Sequence, residues 1–112
     1  MTAAEHGILK TQILKYLNAQ PDTRAWTCAS GLFKTGGRFV SCGLGKGAAD
    51  IIAVSRGRFV AVEVKTGSGV MTEEQKKWAK TVLMCGGIVI LARSFSSFKD
   101  IFKEAFDESL MS

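Results

Sequence analysis

Three charged residues interrupt two otherwise apolar runs of this chain. Asp50 lies in Gly47-Ala48-Ala49-Asp50-Ile51-Ile52; Glu63 and Lys65 lie in Val60-Ala61-Val62-Glu63-Val64-Lys65. An unpaired ion inside a low-dielectric strand destabilises the fold or gives up its charge. Two acids and a lysine kept at these places suit carboxylate oxygens that hold a divalent cation, with an ammonium group alongside. That chemistry cuts phosphodiesters. The cation lowers the pKa of a water and offsets charge building on the phosphate, while the lysine orients the water or stabilises the transition state. Oxygen ligands favour Mg²⁺. Mg²⁺ usually takes one or two protein carboxylates and keeps several waters. The backbone carbonyl of Val64 is a candidate for one more oxygen.

Positioning the trio falls to a hairpin. Residues 49–54 and 58–65 read as strands joined at Ser55-Arg56-Gly57. Alternate residues of a strand share a face, so Glu63 and Lys65 point one way and Val62 and Val64 the other. A two-residue turn at Arg56-Gly57 pairs Ser55 with Arg58 and sets Asp50 opposite Glu63, their Cβ atoms roughly 4.5–5.5 Å apart. A slip of one residue would put Asp50 opposite Val62 and send the acids to different faces. The plainer alternative is a charge cluster on a solvated sheet face. Ile51, Ile52, Val60, Val62 and Val64 weigh against it, because they mark the hairpin as central.

The remaining elements build around this hairpin. Residues 4–18 read as a helix with Leu9, Ile13, Tyr16 and Leu17 on one side, ended by Pro21-Asp22. A strand is expected at residues 24–28, then a loop around Lys34-Thr35-Gly36-Gly37, a short strand at 38–42, and a flexible loop through Gly43, Gly45 and Gly47. After a loop at 66–69, residues 72–84 form a helix with Thr72 as N-cap and Gln75 completing a capping box. Gly86-Gly87 stops it. Residues 88–92 form a buried strand. Ser96 or Ser97 is expected to cap a last helix with Phe98, Ile101, Phe102 and Ala105 on one face. The order predicts an α/β domain, a mixed sheet with helices packed on it. Gln75 shares a face with Trp78, Ala79 and Val82, so it either reaches the site or serves the capping box alone. Glu5 sits in the first turn of the first helix, where an acid suits the helix dipole with or without a function. His6, the only histidine, is expected to be an exposed helix residue.

The chain has 112 residues and 46% hydrophobic content, enough for one domain, 1–112, with its own core. Net charge is +5 and the pI about 9.3. Residues 100–112 carry a local −3, so the remainder carries +8, which favours polyanionic partners. Cys28, Cys42 and Cys85 are odd in number and form no Cys-x-x-Cys pair; neither a disulfide framework nor a zinc site is suggested, and they are expected to be small buried apolar residues. No segment has the length of a membrane span and the N-terminus lacks a signal-peptide stretch, so cytoplasmic residence is expected. No Lys-Ser/Thr follows the glycines 43, 45 and 47, and a strand comes next, which excludes a P-loop. A lone histidine without a paired nucleophile gives no support to Ser/His or Cys/His catalysis.

In this order, Glu5 on the opening helix, Gly47-Ala48-Ala49-Asp50-Ile51-Ile52, Glu63-Val64-Lys65, Gln75 with Trp78, and Gly86-Gly87 before the next strand, the chain resembles the VRR-NUC branch of the PD-(D/E)xK nuclease superfamily over nearly its whole length. The resemblance implies a restriction-endonuclease-like αβββαβ core, a mixed central sheet flanked by helices, and Mg²⁺- or Mn²⁺-dependent hydrolysis of nucleic-acid phosphodiesters. It makes Asp50 and Glu63 metal ligands, gives Lys65 the attacking water, and brings Glu5 and Gln75 to the site. Ala49 stands where the superfamily often has a proline before the first acid. A stand-alone domain of this size looks like small phage and bacterial members, which implies a structure-specific endonuclease, a homodimer cutting branched DNA such as Holliday junctions. Lys34, Arg38 and Lys46 are candidate DNA contacts, and apolar faces of the first or last helix are candidates for dimerisation. Flap or nicking activity is the alternative within the class. Outside it stand a nucleic-acid-binding module without catalysis and a subunit-assembly protein, which would expose a large apolar surface.

Overall fold

A computed structural model describes residues 3–28, 31–35, 38–42 and 44–107, with residues 31–35 and 38–42 described by backbone alone. In chain order the elements are α1 (Ala3–Asn18), β1 (Thr23–Thr27), β2 (Gly31–Thr35), β3 (Arg38–Cys42), β4 (Ile51–Ser55), β5 (Arg58–Val64), α2 (Glu73–Met84), β6 (Ile88–Ala92) and α3 (Phe95–Ala105). The main sheet has the order β1-β4-β5-β6. β1 with β4 and β4 with β5 are antiparallel, and β5 with β6 is parallel. A parallel pair needs a crossover, and α2 supplies it. β2 and β3 form a separate antiparallel ribbon between β1 and β4 in the chain. Setting the ribbon aside, the chain runs α-β-β-β-α-β and then α3. Among the described residues no helix is long and apolar enough to cross a membrane.

The side chains account for this layering. Leu9, Ile13 and Leu17 recur at helical spacing and place α1 on the sheet, beside Phe98 and Phe102 of α3 and over Ile51, Ala53, Val60, Val62, Val64, Ile88 and Ile90. Tyr16 meets Phe95, Phe98 and Phe102 edge to face at 5.8–6.0 Å, a favoured aromatic geometry. On the opposite sheet face, Ala49, Ala61 and Val82 are buried with Phe59, Trp78 and Val89 beneath α2. β5 is therefore covered on both sides, which is why its sequence reads as an almost unbroken apolar run. Thr23 and the fully buried Ser55 satisfy each other through hydroxyls 2.6 Å apart. β1 is one of the two sheet edges; the Asn18 amide donates to Ala25 O and accepts from Ala25 N, so a side chain occupies part of that edge.

The hairpin turns where the sequence reading put it. Arg56 and Gly57 have φ of 52° and 81°, the sign pattern of a type I′ turn. The register runs from Ser55↔Arg58 to Ile51↔Val62.

Several expectations need correction. Lys34 and Thr35 belong to a strand, not a loop, and β3 pairs only with β2. The nearby glycines suggested a loop because the hydrogen bonds that make Gly31–Thr35 a strand come from a partner several residues on. The Gly36-Gly37 part of that loop, and Gly43, lie outside the described residues. Ser94, rather than Ser96 or Ser97, caps α3; its φ is −152° and its Oγ accepts from Ser97 N at 3.1 Å. Starting at Phe95 turns Phe98 and Phe102 into the core and leaves Ile101 38% exposed. Cys85 is exposed and Cys28 half-buried, so they are not core residues, while the side chain of Cys42 lies outside the described residues.

The loop entering β4 is held against the start of α2. Trp78 Nε1 donates to Leu44 O at 3.2 Å. Gly47, at φ +85°, lies so close to the first turn of α2 that an added Cβ would collide with the Glu74 carbonyl and sit 2.9 Å from Gln75 N. Positive φ and backbone contact together demand glycine here. Gly47→Ala is expected to cost about 1–3 kcal/mol, read from the urea midpoint, and to loosen the start of α2.

Candidate active site

At the open end of the hairpin, the regular β4–β5 ladder stops at Ile51↔Val62. Continuing that register brings Asp50 level with Glu63, on the sheet face covered by α2. The backbone of Val64 would there lose its strand partner on the β4 side, and a buried backbone group left alone is costly. Two side chains replace the missing strand. Asp50 Oδ2 accepts from Val64 N at 2.8 Å. His6 Nε2 lies 3.2 Å from Val64 O. A carbonyl only accepts, so Nε2 carries the proton in that bond. Asp50 is itself tied to β1, since its carbonyl accepts from Cys28 N at 2.8 Å.

Glu63 is 4% exposed, between β4 and β6 in the middle of the sheet. Its Oε1 accepts from Gln75 Nε2 at 3.2 Å. The same Gln75 side chain accepts from Thr72 N at 2.8 Å, while Thr72 Oγ1 accepts from Gln75 N at 3.2 Å. The two readings of Gln75 thus coincide: the amide caps α2 with its oxygen and holds the buried acid with its nitrogen. The capping box fixes the rotamer that makes the second contact.

The Glu63 carboxyl is raised from an ordinary 4.5 to about 8, first by burial and then by the hydrogen bond and negative charge of Asp50, with Lys65 opposing the rise. Lys65 is half-buried just past β5, and its N–H continues the pairing with β6 by donating to Ala92 O at 3.0 Å. Two adjacent carboxylates, one of them buried, form a site that gains from positive charge. They are also the donor set that Mg²⁺ commonly takes from a protein. Among the described residues no group of three His, Cys, Asp or Glu side chains converges as metal ligands. The Val64 carbonyl, expected as a further ligand, is engaged by His6.

Asp50, Glu63, Lys65 and Gln75 are therefore neighbours, and Gln75, which the sequence leaves between the site and the capping box, serves both. Glu5 is exposed in the first turn of α1, one residue from the side chain that meets the site. Lys46 is exposed on the loop before β4. Lys34 and Arg38 lie on the ribbon, in register with Phe39 and Thr35, and their side chains fall outside the described residues. His6 is the residue that sequence reasoning missed, and its expected exposure is corrected by its half-buried ring, 3.8 Å from Asp50 Oδ2. The signal lay in the first helix. Extending the Leu9–Ile13 stripe back by three residues reaches His6, whereas Glu5 is rotated a further ~100° around the helix.

Compared with known proteins, the chain matches no family model and no curated sequence.

The raised Glu63 pKa has a definite consequence for stability. Between the ordinary 4.5 of the unfolded chain and the folded value of about 8, the native state holds a proton that the unfolded state has lost. Stability without metal then falls as pH rises through that window. Thermal unfolding in EDTA is expected to show a Tm declining from about pH 5 to pH 8, with a flatter profile for Glu63→Gln, which cannot ionise. Equal profiles for the two proteins would contradict the assignment. Millimolar Mg²⁺ is expected to raise Tm more at pH 8 than at pH 6, because a cation must displace that proton.

Proposed function

We propose that this domain is a metal-dependent endonuclease of the VRR-NUC type, built on a restriction-endonuclease-like αβββαβ core and acting on DNA. The observation that carries the reading is the Asp50–Glu63 pair. A buried carboxyl raised to about 8 beside a second acid holds a proton that a bound cation would replace, in a chain whose net charge is +5. The amide of Gln75 holds Glu63 and a backbone N–H holds Asp50, with the His6 ring 3.8 Å from Asp50 Oδ2.

Asp50 and Glu63 are the residues that would hold Mg²⁺ or Mn²⁺. Asp50 Oδ2 accepts from a backbone N–H and Glu63 Oε1 from Gln75, and a cation would replace the hydrogen bond that the two acids share. A bound divalent cation supplies Lewis-acid activation of a water and neutralises charge on the phosphoryl group. Gln75 and His6 act on orientation, the first by fixing Glu63 and the second by holding the Val64 backbone from which Asp50 hangs. Lys65 follows Val64 directly and carries the positive charge that faces the attacking water or the phosphate. Lys46, and Lys34 and Arg38 on the ribbon, provide the basic charge that draws a polyanion toward the acids. The proposed substrate is branched DNA such as a Holliday junction, cut by a homodimer, because two symmetric cuts need two sites.

A cleavage panel tests this reading with Mg²⁺ or Mn²⁺ and four-way junctions, flaps, splayed arms, single strands and plain duplex. Asp50→Ala, Glu63→Gln and EDTA are each expected to lower cleavage by more than about 10²-fold, while DNA affinity without metal stays nearly unchanged. Full cleavage by both variants would remove the site assignment. Binding without cleavage of any substrate by the wild-type protein would leave a nucleic-acid-binding module. A monomer by light scattering, free and on DNA, would remove paired junction cutting and favour flap or nicking activity.

A further inference from the structure

The sheet face that carries Asp50 and Glu63 is only half covered. α2 lies over β5 and β6, and the β1–β4 half of the same face is open. Strand parity and register order its residues in rows leading away from the carboxylates. Trp26 pairs with Ile52 and Ile52 with Ala61; Arg24 pairs with Val54 and Val54 with Phe59. Each row is two residues, about 7 Å, farther from the acids than the last. Trp26 is 48% and Val54 45% exposed, and Arg24 is exposed. Their neighbours one position along, Ala25, Ala53 and Ser55, are at most 4% exposed on the other face. An indole half in solvent on an otherwise orderly sheet, with a guanidinium two residues away, is an unusual pairing to leave beside an acidic site. The edge of β1 is already partly occupied by Asn18, so the open feature is the face of the strand.

We infer that Trp26 and Arg24 form a platform for an unpaired DNA strand: Trp26 stacks on a base next to the phosphate that lies at Asp50 and Glu63, and Arg24 contacts a phosphate one step farther out. This rests on the nuclease reading and adds the form of the substrate. The chemistry favours this occupant. Aromatic side chains stack on bases without regard to sequence, and a base inside a duplex already has both faces covered by its neighbours. The charge is complementary, since Arg24 is cationic and the chain is net positive. A platform of this kind brings to the acids DNA whose bases are open, as at a branch point, a flap or a splayed end.

The test measures binding in EDTA, where cleavage does not interfere. The probes are a labelled dT oligomer of about 15 nucleotides, within the usual single-strand site size, and a blunt duplex of the same length. Trp26→Ala is expected to weaken binding of the dT oligomer by about 5- to 150-fold and to leave duplex binding unchanged. Trp26→Phe, which keeps an aromatic face, is expected to restore most of the affinity. Tryptophan fluorescence is expected to be quenched on saturation with the oligomer in the wild-type protein and far less in Trp26→Ala. Arg24→Gln is expected to lower the salt slope of oligomer binding by about 0.7. Thermal unfolding confirms that each variant is folded. Wild-type affinity of Trp26→Ala for the oligomer, or an equal loss for oligomer and duplex, overturns the proposal. It is also overturned if Trp26→Ala turns a dimer into a monomer with oligomer binding intact, which would make the face an interface between copies. The nuclease reading fails separately, through absence of metal-dependent cleavage, and the stacking signal would survive that failure. Conversely, cleavage that depends on Asp50 and Glu63 but not on Trp26 leaves the site standing and removes the platform.

Discussion

The carboxyl groups of Asp50 and Glu63 meet where the β4–β5 ladder runs out, and most local features of the domain serve to hold them there. Like charges at that separation repel, and burial of Glu63 adds a desolvation cost. The surroundings offset part of that cost with directed hydrogen bonds. Val64 N–H binds Asp50, Gln75 binds Glu63, and His6 occupies the carbonyl of the same Val64 peptide. The backbone of a single residue thus anchors one acid and receives the first helix. These contacts fix the position of the acids, and the proton that Glu63 keeps up to about pH 8 relieves their mutual repulsion.

Three distant parts of the chain converge on that point, and each arrives for its own structural reason. α1 comes because Leu9, Ile13 and Leu17 must be buried, and His6 follows from the helix period. The start of α2 comes because β5 and β6 are parallel and need a crossover. Gly47 then lets the β4 entry loop touch that start, backbone to backbone. Arg56-Gly57 sets the register from the far end of the hairpin. A change at any of these places would move a side chain at the acids without touching it.

Coverage of the sheet is uneven, and the unevenness has a functional shape. The α1–α3 face is sealed by an aromatic cluster around Tyr16. The opposite face is sealed only over β5 and β6, where Glu63 is buried, and is open over β1 and β4, where Asp50 is 24% exposed. One acid is therefore held in low dielectric and the other reaches solvent.

The hairpin, its turn and the facing of Asp50 with Glu63 were legible in the sequence, because strand alternation and a two-residue turn are local rules. The capping box at Thr72 and Gln75 was legible for the same reason. His6 was half-legible, since the helix period points to it but a lone histidine carries no pattern of its own. Half of the ribbon was legible, since Arg38–Cys42 reads as a short strand, but Gly31–Thr35 becomes a strand only through hydrogen bonds to it. The choice of Ser94 over two other serines depended on Phe98 and Phe102 finding the core. The sequence by itself determined which residues can be acids, cations and caps, and how neighbours along one element are phased, because these follow from side-chain chemistry and backbone period. Tertiary structure alone decided that Gln75 meets Glu63, that His6 holds the Val64 backbone, and that Trp26 is left open beside them. Those outcomes depend on how separate elements dock, and docking is set by the whole core rather than by any local run of residues.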